Sequence, residues 1–190
     1  MASEIKVDTI SEKTSANGVT IDGVNIKDGK VGGGYTITEA DQWRLTANIT
    51  NTNADITSNL ERIDTAPQGY LGTGMSESSG IFTFPSTGIW QVTLNAQIDA
   101  SDNDNALFVN TISTTDNFSS EVILAKVRES NRGSGAGGNA SGSSQTLIDV
   151  TDTSNIKVKF ATVSFGDDDS LIGSSTLNET TFTFIRLGDT

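Results

Sequence analysis

Between Trp90 and Ile98 the chain alternates strictly. Trp90, Val92, Leu94, Ala96 and Ile98 are apolar, while Gln91, Thr93, Asn95 and Gln97 are polar. A period of two sends these sets to opposite faces of a β-strand, so this stretch must pair in a sheet and bury one face. Trp43, Leu45, Ala47 and Ile49 alternate in the same way, and Leu107–Ile112, Val122–Val127, Leu147–Val150, Ile156–Phe165 and Phe182–Leu187 are further candidate strands. Thr, Val, Ile and Phe dominate them, which suits a pleated, half-buried surface. Ser, Asn, Asp and Gly fill the gaps. Short strands at this spacing predict an all-β sandwich or jelly roll over residues 41–190. Ala54–Ile63 reads as an irregular loop leading into a short strand. Gly133–Ser144 is so rich in glycine and serine that a long surface loop is expected there.

Residues 1–40 read differently, as an attachment or shaft segment. Ile5, Val7 and Ile10 are apolar, and Val19, Ile21, Val24, Ile26 and Val31 alternate with polar neighbours. Asp22-Gly23 and Asp28-Gly29 are turn signals, because both residue types tolerate left-handed backbone. The pattern fits a small hairpin or a repeated strand–turn unit. Strands this short cannot bury a core alone, so they are expected to pack on another subunit or another protein. Gly32-Gly33-Gly34 reads as a joint.

Composition narrows the function. Of 190 residues 34% are hydrophobic, a low share that asks for burial against a partner. The formal charge is −12, which repels phosphate backbones and argues against nucleic-acid binding. Cysteine and histidine are both absent. Disulfides, thiolate metal sites, Ser-His triads and His-Zn centres are thereby excluded, and an enzyme would have to work with carboxylates. Met1–Thr20 has no apolar core of signal-peptide length, and no segment approaches the roughly 20 apolar residues of a membrane span. A soluble protein made in the cytoplasm, without membrane insertion, is expected.

The stretch Gly80-Ile81-Phe82-Thr83-Phe84-Pro85-Ser86-Thr87-Gly88-Ile89-Trp90-Gln91-Val92 resembles a signature of the globular heads of the complement and tumour-necrosis-factor superfamily, Gly-x-Phe-x-x-Pro-x-x-Gly-x-Tyr-x-Phe, with Trp90 and Val92 replacing its Tyr and Phe. Thr181-Phe182-Thr183-Phe184-Ile185-Arg186-Leu187 looks like the aromatic last strand of that family. The resemblance covers roughly Trp43–Thr190. It implies a ten-strand jelly roll assembled as a tight homotrimer, with Phe82, Phe84, Pro85, Gly88, Trp90, Phe182 and Phe184 as its core and trimer motif. Pro85 would end a strand for want of an N–H, and Gly88 would turn the chain where a side chain is unfavourable. The leading stretch, Ile5-Lys6-Val7-Asp8-Thr9-Ile10 and then Ala16–Val24, resembles the first segment of structural proteins of marine tailed phages, and Gly74–Gly80 looks like phage versions of this jelly roll. That resemblance implies a virion structural protein whose attachment segment carries Ile5, Val7, Val19, Ile21, Val24 and Ile26.

Asp102, Asp104 and the run Asp167-Asp168-Asp169 are the only candidates for a Ca²⁺ site, since a hard cation prefers clustered carboxylate and carbonyl oxygens. Asp102-Asn103-Asp104 lacks the glycine and distal glutamate of an EF-hand loop, and a solvated acidic loop is the plainer account. No cofactor is expected, and nothing singles out a carboxylate pair for glycoside hydrolysis. Trp43 and Trp90 could serve as sugar platforms, but each lies in an alternating strand, where core packing is the expectation. Lys157 and Lys159 alternate with Ile156, Val158 and Phe160 and read as an outward strand face protecting an edge. The chain is therefore expected to be non-enzymatic and to sit on the virion surface. Two placements are open: a short fibre or receptor-binding head, touching a host glycan or protein through Asp99–Asn105, Arg132–Ser144 and Ser164–Ser170, or a capsid decoration protein bound to other virion proteins. A carbohydrate-binding module is a third class.

Overall fold

The computed structural model describes residues 19–21, 24–27, 30–32, 37–100, 106–130, 138–166 and 168–190. They hold β-strands and no helix, so no helix among them is long and apolar enough to cross a membrane. The chain divides into two compact units, Met1–Thr36 and Ile37–Thr190.

In the first unit β1 (Val19–Ile21), β2 (Val24–Lys27) and β3 (Lys30–Gly32) form an antiparallel meander. Its register sets Val19, Ile26 and Val31 in one cross-strand row and Ile21 opposite Val24. Ile5 and Val7 lie outside the described residues.

The second unit is a jelly-roll sandwich. One sheet has five strands in the order β11 (Val122–Ser130), β10 (Ala106–Thr114), β13 (Lys157–Val163), β8 (Ile81–Thr83) and β7 (Ser76–Ser78). The other has seven: β5 (Ile49–Thr50), β14 (Ser170–Leu171), β9 (Gly88–Ala100), β15 (Thr181–Gly188), β4 (Ala40–Leu45) and β6 (Leu60–Arg62), with β12 (Gly138–Val150) on the other edge of β9. Ala40, placed by sequence in the leading segment, opens β4 and pairs with Ile185.

The alternation from Trp90 to Ile98 is the spine of this sheet. Trp90, Val92, Leu94, Ala96 and Ile98 are all buried between the sheets. Phe82, Phe160, Phe182 and Phe184 meet them from both sides, with Phe160 and Phe182 centroids 4.4 Å apart and Trp43 edge-on to Phe82 at 5.4 Å. Burying one such side chain contributes about 1.5–3 kcal/mol, so this cluster dominates stability. Both tryptophans pack with this core and neither is a sugar platform: Trp90 is wholly buried, and Trp43 lies partly buried against it.

Gly88 opens β9 at φ +139°, and a Cβ there would sit 2.4 Å from the Gly188 carbonyl oxygen. The strand needs a glycine on both counts. β8 ends at Thr83, two residues before Pro85, as a residue without an N–H requires.

One expectation is corrected. Of the glycine/serine tract read as a loop, Gly138–Ser144 belongs to β12, which pairs with β9 over its whole length, from Gly138 opposite Ala100 to Val150 opposite Gly88. The ladder satisfies its backbone. Gly142 lies so close to β11 that a Cβ would fall 2.5 Å from Val127 Cγ1, so small residues are what this position admits.

Candidate functional site

Paired residues in neighbouring strands share a face, so the register maps the outward face of the seven-stranded sheet row by row. One row runs Leu147, Gln91, Ile185, Ala40 and Leu71. The next runs Gln145, Thr93, Thr183 and Gln42, and the third Ser143, Asn95, Thr181, Arg44 and Glu61. The face is thus largely apolar at one end, around Gln91, and a ladder of Gln, Thr, Asn and Ser further on, closed by the Arg44–Glu61 pair. Gln42 Nε2 donates to Thr183 Oγ1 at 3.0 Å, and Asn95 Nδ2 donates to Thr181 Oγ1 at 3.2 Å, which knits the ladder across strands. Beside the apolar row a shallow groove opens between Gln42, Tyr70, Leu71, Thr183 and Ile185.

The apolar row continues around an edge. β11 and β12 lie side by side at the end of the sandwich, with Gly142 against Val127. Val122, Ile123 and Leu124 open β11, and all three are exposed, Ile123 to 52%. Leu147, at 58%, stands at the end of β12 remote from the β11–β12 connection, as Val122 does on β11. A ladder shift between Thr111 and Ile112 leaves Leu124 without a Cα partner, which explains how consecutive β11 residues come to be exposed together. Exposed apolar side chains gathered at one sheet end and an adjoining edge mark an interaction surface, whereas scattered ones do not.

Ion pairs brace the frame that presents this face. The Asp41 carboxylate is wholly buried and accepts from Arg62 Nε at 3.1 Å, Trp43 Nε1 at 2.9 Å and the Met75 backbone N–H at 2.7 Å. The Arg62 guanidinium also stacks over Trp43 and Tyr70, its carbon 5.2 and 4.6 Å from the ring centres. Arg44 reaches the outward face of the sheet yet is buried, paired with Glu61 and 3.7 Å from Asp64. Lys159, read from sequence as an outward edge lysine, is instead nearly buried. It pairs with Asp55 at 2.7 Å and with Glu121, and it lies over the Phe118 ring. Burial opposes its charge, but the hydrogen bonds of Asp55 and Glu121 outweigh that and raise its pKa above 10.5. Lys157 donates to Asn117 Oδ1 at 2.6 Å.

Of the acidic candidates, Asp168 and Asp169 are among the described residues. Asp102, Asp104 and Asp167 lie outside the described residues. Asp168 is exposed and bonds Asn51 through its backbone N–H, 2.6 Å from Asn51 Oδ1. Asp169 is buried, and its carboxylate accepts from the Gly166 N–H at 3.0 Å. Among the described residues no three side chains of metal-binding type cluster. Phe82, Phe84, Trp90, Phe182 and Phe184 all point into the sandwich, so the resemblance motif builds the core, and the outward rows come from its polar and aliphatic neighbours. Sequence reasoning left Leu147, Ile185 and Leu71 unmarked as a group. Alternation alone could assign each a face, but only strand order brings them into one row.

No protein-family model matches the chain, and no curated protein matches it. Among solved structures it is similar to the Eiger TNF of S. frugiperda: the TM-score is 0.57 at 10% identity, over 82% of this chain and 96% of that one. The sandwich is therefore a tumour-necrosis-factor-like jelly roll.

Proposed function

We propose that Ile37–Thr190 is a non-enzymatic head that assembles as a homotrimer, and that its leading segment fixes it to the outside of a phage particle as a short fibre or receptor-binding head. The observation that carries the assembly is the apolar row Leu147–Gln91–Ile185–Ala40–Leu71 at the end of a polar sheet face, continued by Val122, Ile123 and Leu124 on the adjoining edge. Face and edge are different surfaces, so one copy's edge on the next copy's face makes a head-to-tail contact, and such a contact gives a finite assembly by closing into a ring. The resemblance in the sequence supplies the order three. A ring also accounts for the low apolar share, since part of each copy's burial comes from its neighbours.

The virion placement rests on the phage-like leading segment. Capsid decoration is the other placement that the segment serves. Light scattering on the full chain at low micromolar concentration tests the assembly, which should weigh three times 20.0 kDa. A monomer would refute it. Antibody labelling of phage particles that carry the chain tests the placement: label at the tail supports the fibre reading, label over the capsid supports decoration, and no label on particles refutes both.

A further inference from the structure

The opposite sheet carries a second surface with different chemistry. In β10 Leu107 and Val109 point into the core, so Phe108 and Asn110 face outward. Across the strand pairs Phe108 lies opposite Arg128 and Val163, and Asn110 opposite Lys126 and Ala161. Lys126 Nζ and the Arg128 guanidinium carbon both converge on the Phe108 ring, 5.0 and 5.5 Å from its centre. Among the described side chains these are the only two cations without a hydrogen-bonding partner; Arg44, Arg62, Lys157, Lys159 and Arg186 each have one. In a chain with 24 acidic and 12 basic residues, two like charges gathered on one ring, with no carboxylate among the described residues between them, leave an opening for an anion. Beside them Asn110 is nearly buried, and its side-chain oxygen accepts no hydrogen bond. A buried acceptor left without a donor is costly, and a ligand hydroxyl would satisfy it.

We propose that Phe108, Asn110, Lys126 and Arg128 form a binding site for an acidic saccharide unit, its carboxylate or phosphate held between Lys126 and Arg128 and a hydroxyl donated to Asn110 Oδ1. Phe108 and Asn110 are two residues apart on one strand face, about 7 Å, a span that one sugar ring bridges. Two cations hold one anionic group, and the overall charge of −12 turns polyanions away. Val163, partly exposed beside Phe108, offers an apolar contact for the ring's C–H face. This deepens the receptor-binding reading and rests on it, because assembly uses the β11 edge at Val122–Leu124 and the face of the other sheet, and leaves the outward face of the five-stranded sheet open.

The test is saturation-transfer difference NMR on the full chain with glucuronic acid and glucose as probes and inorganic phosphate added as a competitor of glucuronic acid, with light scattering on the same samples. Glucuronic acid should give transfer where glucose gives none, and should bind more tightly than phosphate. Lys126→Gln and Arg128→Gln should each weaken it about tenfold, the scale of one charged hydrogen bond. Asn110→Val should weaken it too while raising the melting temperature, a combination that a purely structural asparagine would not give. Equal response to glucose and glucuronic acid, no response to either, or binding unchanged in the variants would overturn the site. So would phosphate binding as tightly as glucuronic acid, which would reduce it to an anion hole. Any of these results on a sample of trimeric mass refutes the site and leaves the assembly standing, whereas a monomeric mass refutes the assembly itself.

Discussion

Leu147 is the sharpest probe of the assembly surface. It is 58% exposed, on the outward face of β12, opposite Gln91. Full burial of a leucine side chain is worth about 1.5–3 kcal/mol, so covering that exposed fraction contributes about 1–2 kcal/mol per copy. A ring of three then holds about 3–5 kcal/mol in this residue alone, and Leu147→Ala should weaken the overall association constant by about two to four orders of magnitude. Leu147→Asp should do more, because it also forces a carboxylate out of water without a partner. The folded monomer should be almost unaffected, since the side chain contributes little to the core. Sedimentation velocity from nanomolar to micromolar concentration, with circular dichroism on the same samples, separates the two effects. The expected result for Leu147→Asp is a monomer with native β-sheet signal. A trimer that persists at nanomolar concentration would refute the assignment of this face, and a loss of the sheet signal would refute the reading that Leu147 stands outside the core.

Three further outcomes follow from the frame and the turns. Asp41→Asn keeps one acceptor where the carboxylate served four donors, the Gln42 and Met75 N–H groups, Trp43 Nε1 and Arg62 Nε, and leaves Arg62, itself partly exposed, without its counter-ion. The loss should be about 2–4 kcal/mol, or about 5–15 °C in melting temperature, and a shift under about 2 °C would contradict it. Gly88→Ala adds a Cβ 2.4 Å from a carbonyl oxygen at a left-handed φ and should cost about 2–4 kcal/mol in chemical denaturation, whereas Gly138→Ala, with open space around it, should be tolerated within about 1 kcal/mol. The Asp116 carboxylate accepts from the Ser120 hydroxyl and backbone N–H and from the Thr114 hydroxyl, and these bonds hold its pKa below the ordinary 3.8. A depressed folded pKa stabilises the turn above the ordinary value, and that contribution fades as pH falls through the folded one. Carboxyl-carbon NMR should therefore show Asp116 titrating below 3.8, with the 115–121 turn loosening only at lower pH; titration at or above that value would refute the turn's hydrogen bonding.

The period of two in the sequence was enough for an all-β class and for the buried side of β9, because alternation on a pleated strand is a local property. Pro85, Gly88 and the aromatic pair Phe182 and Phe184 were legible for the same reason: each acts through its own backbone or its own bulk. Strand order was not local, and three features depended on it. The glycine and serine residues 138–144 read as loop because polarity and entropy are all that a single sequence shows there. In the fold they form the paired edge β12, where the full ladder to β9 offsets the entropy of ordering and the approach of Val127 requires a small residue at Gly142. Lys159 looked like a solvent-facing charge until Asp55 and Glu121, distant in sequence, were brought against it. The outward apolar row, like the cation pair on Phe108, exists only through register, since its members come from strands far apart along the chain. Local periodicity decides which side of a strand is buried; which strands lie beside one another is decided by the packing of the whole sandwich, and both proposed surfaces are products of that packing.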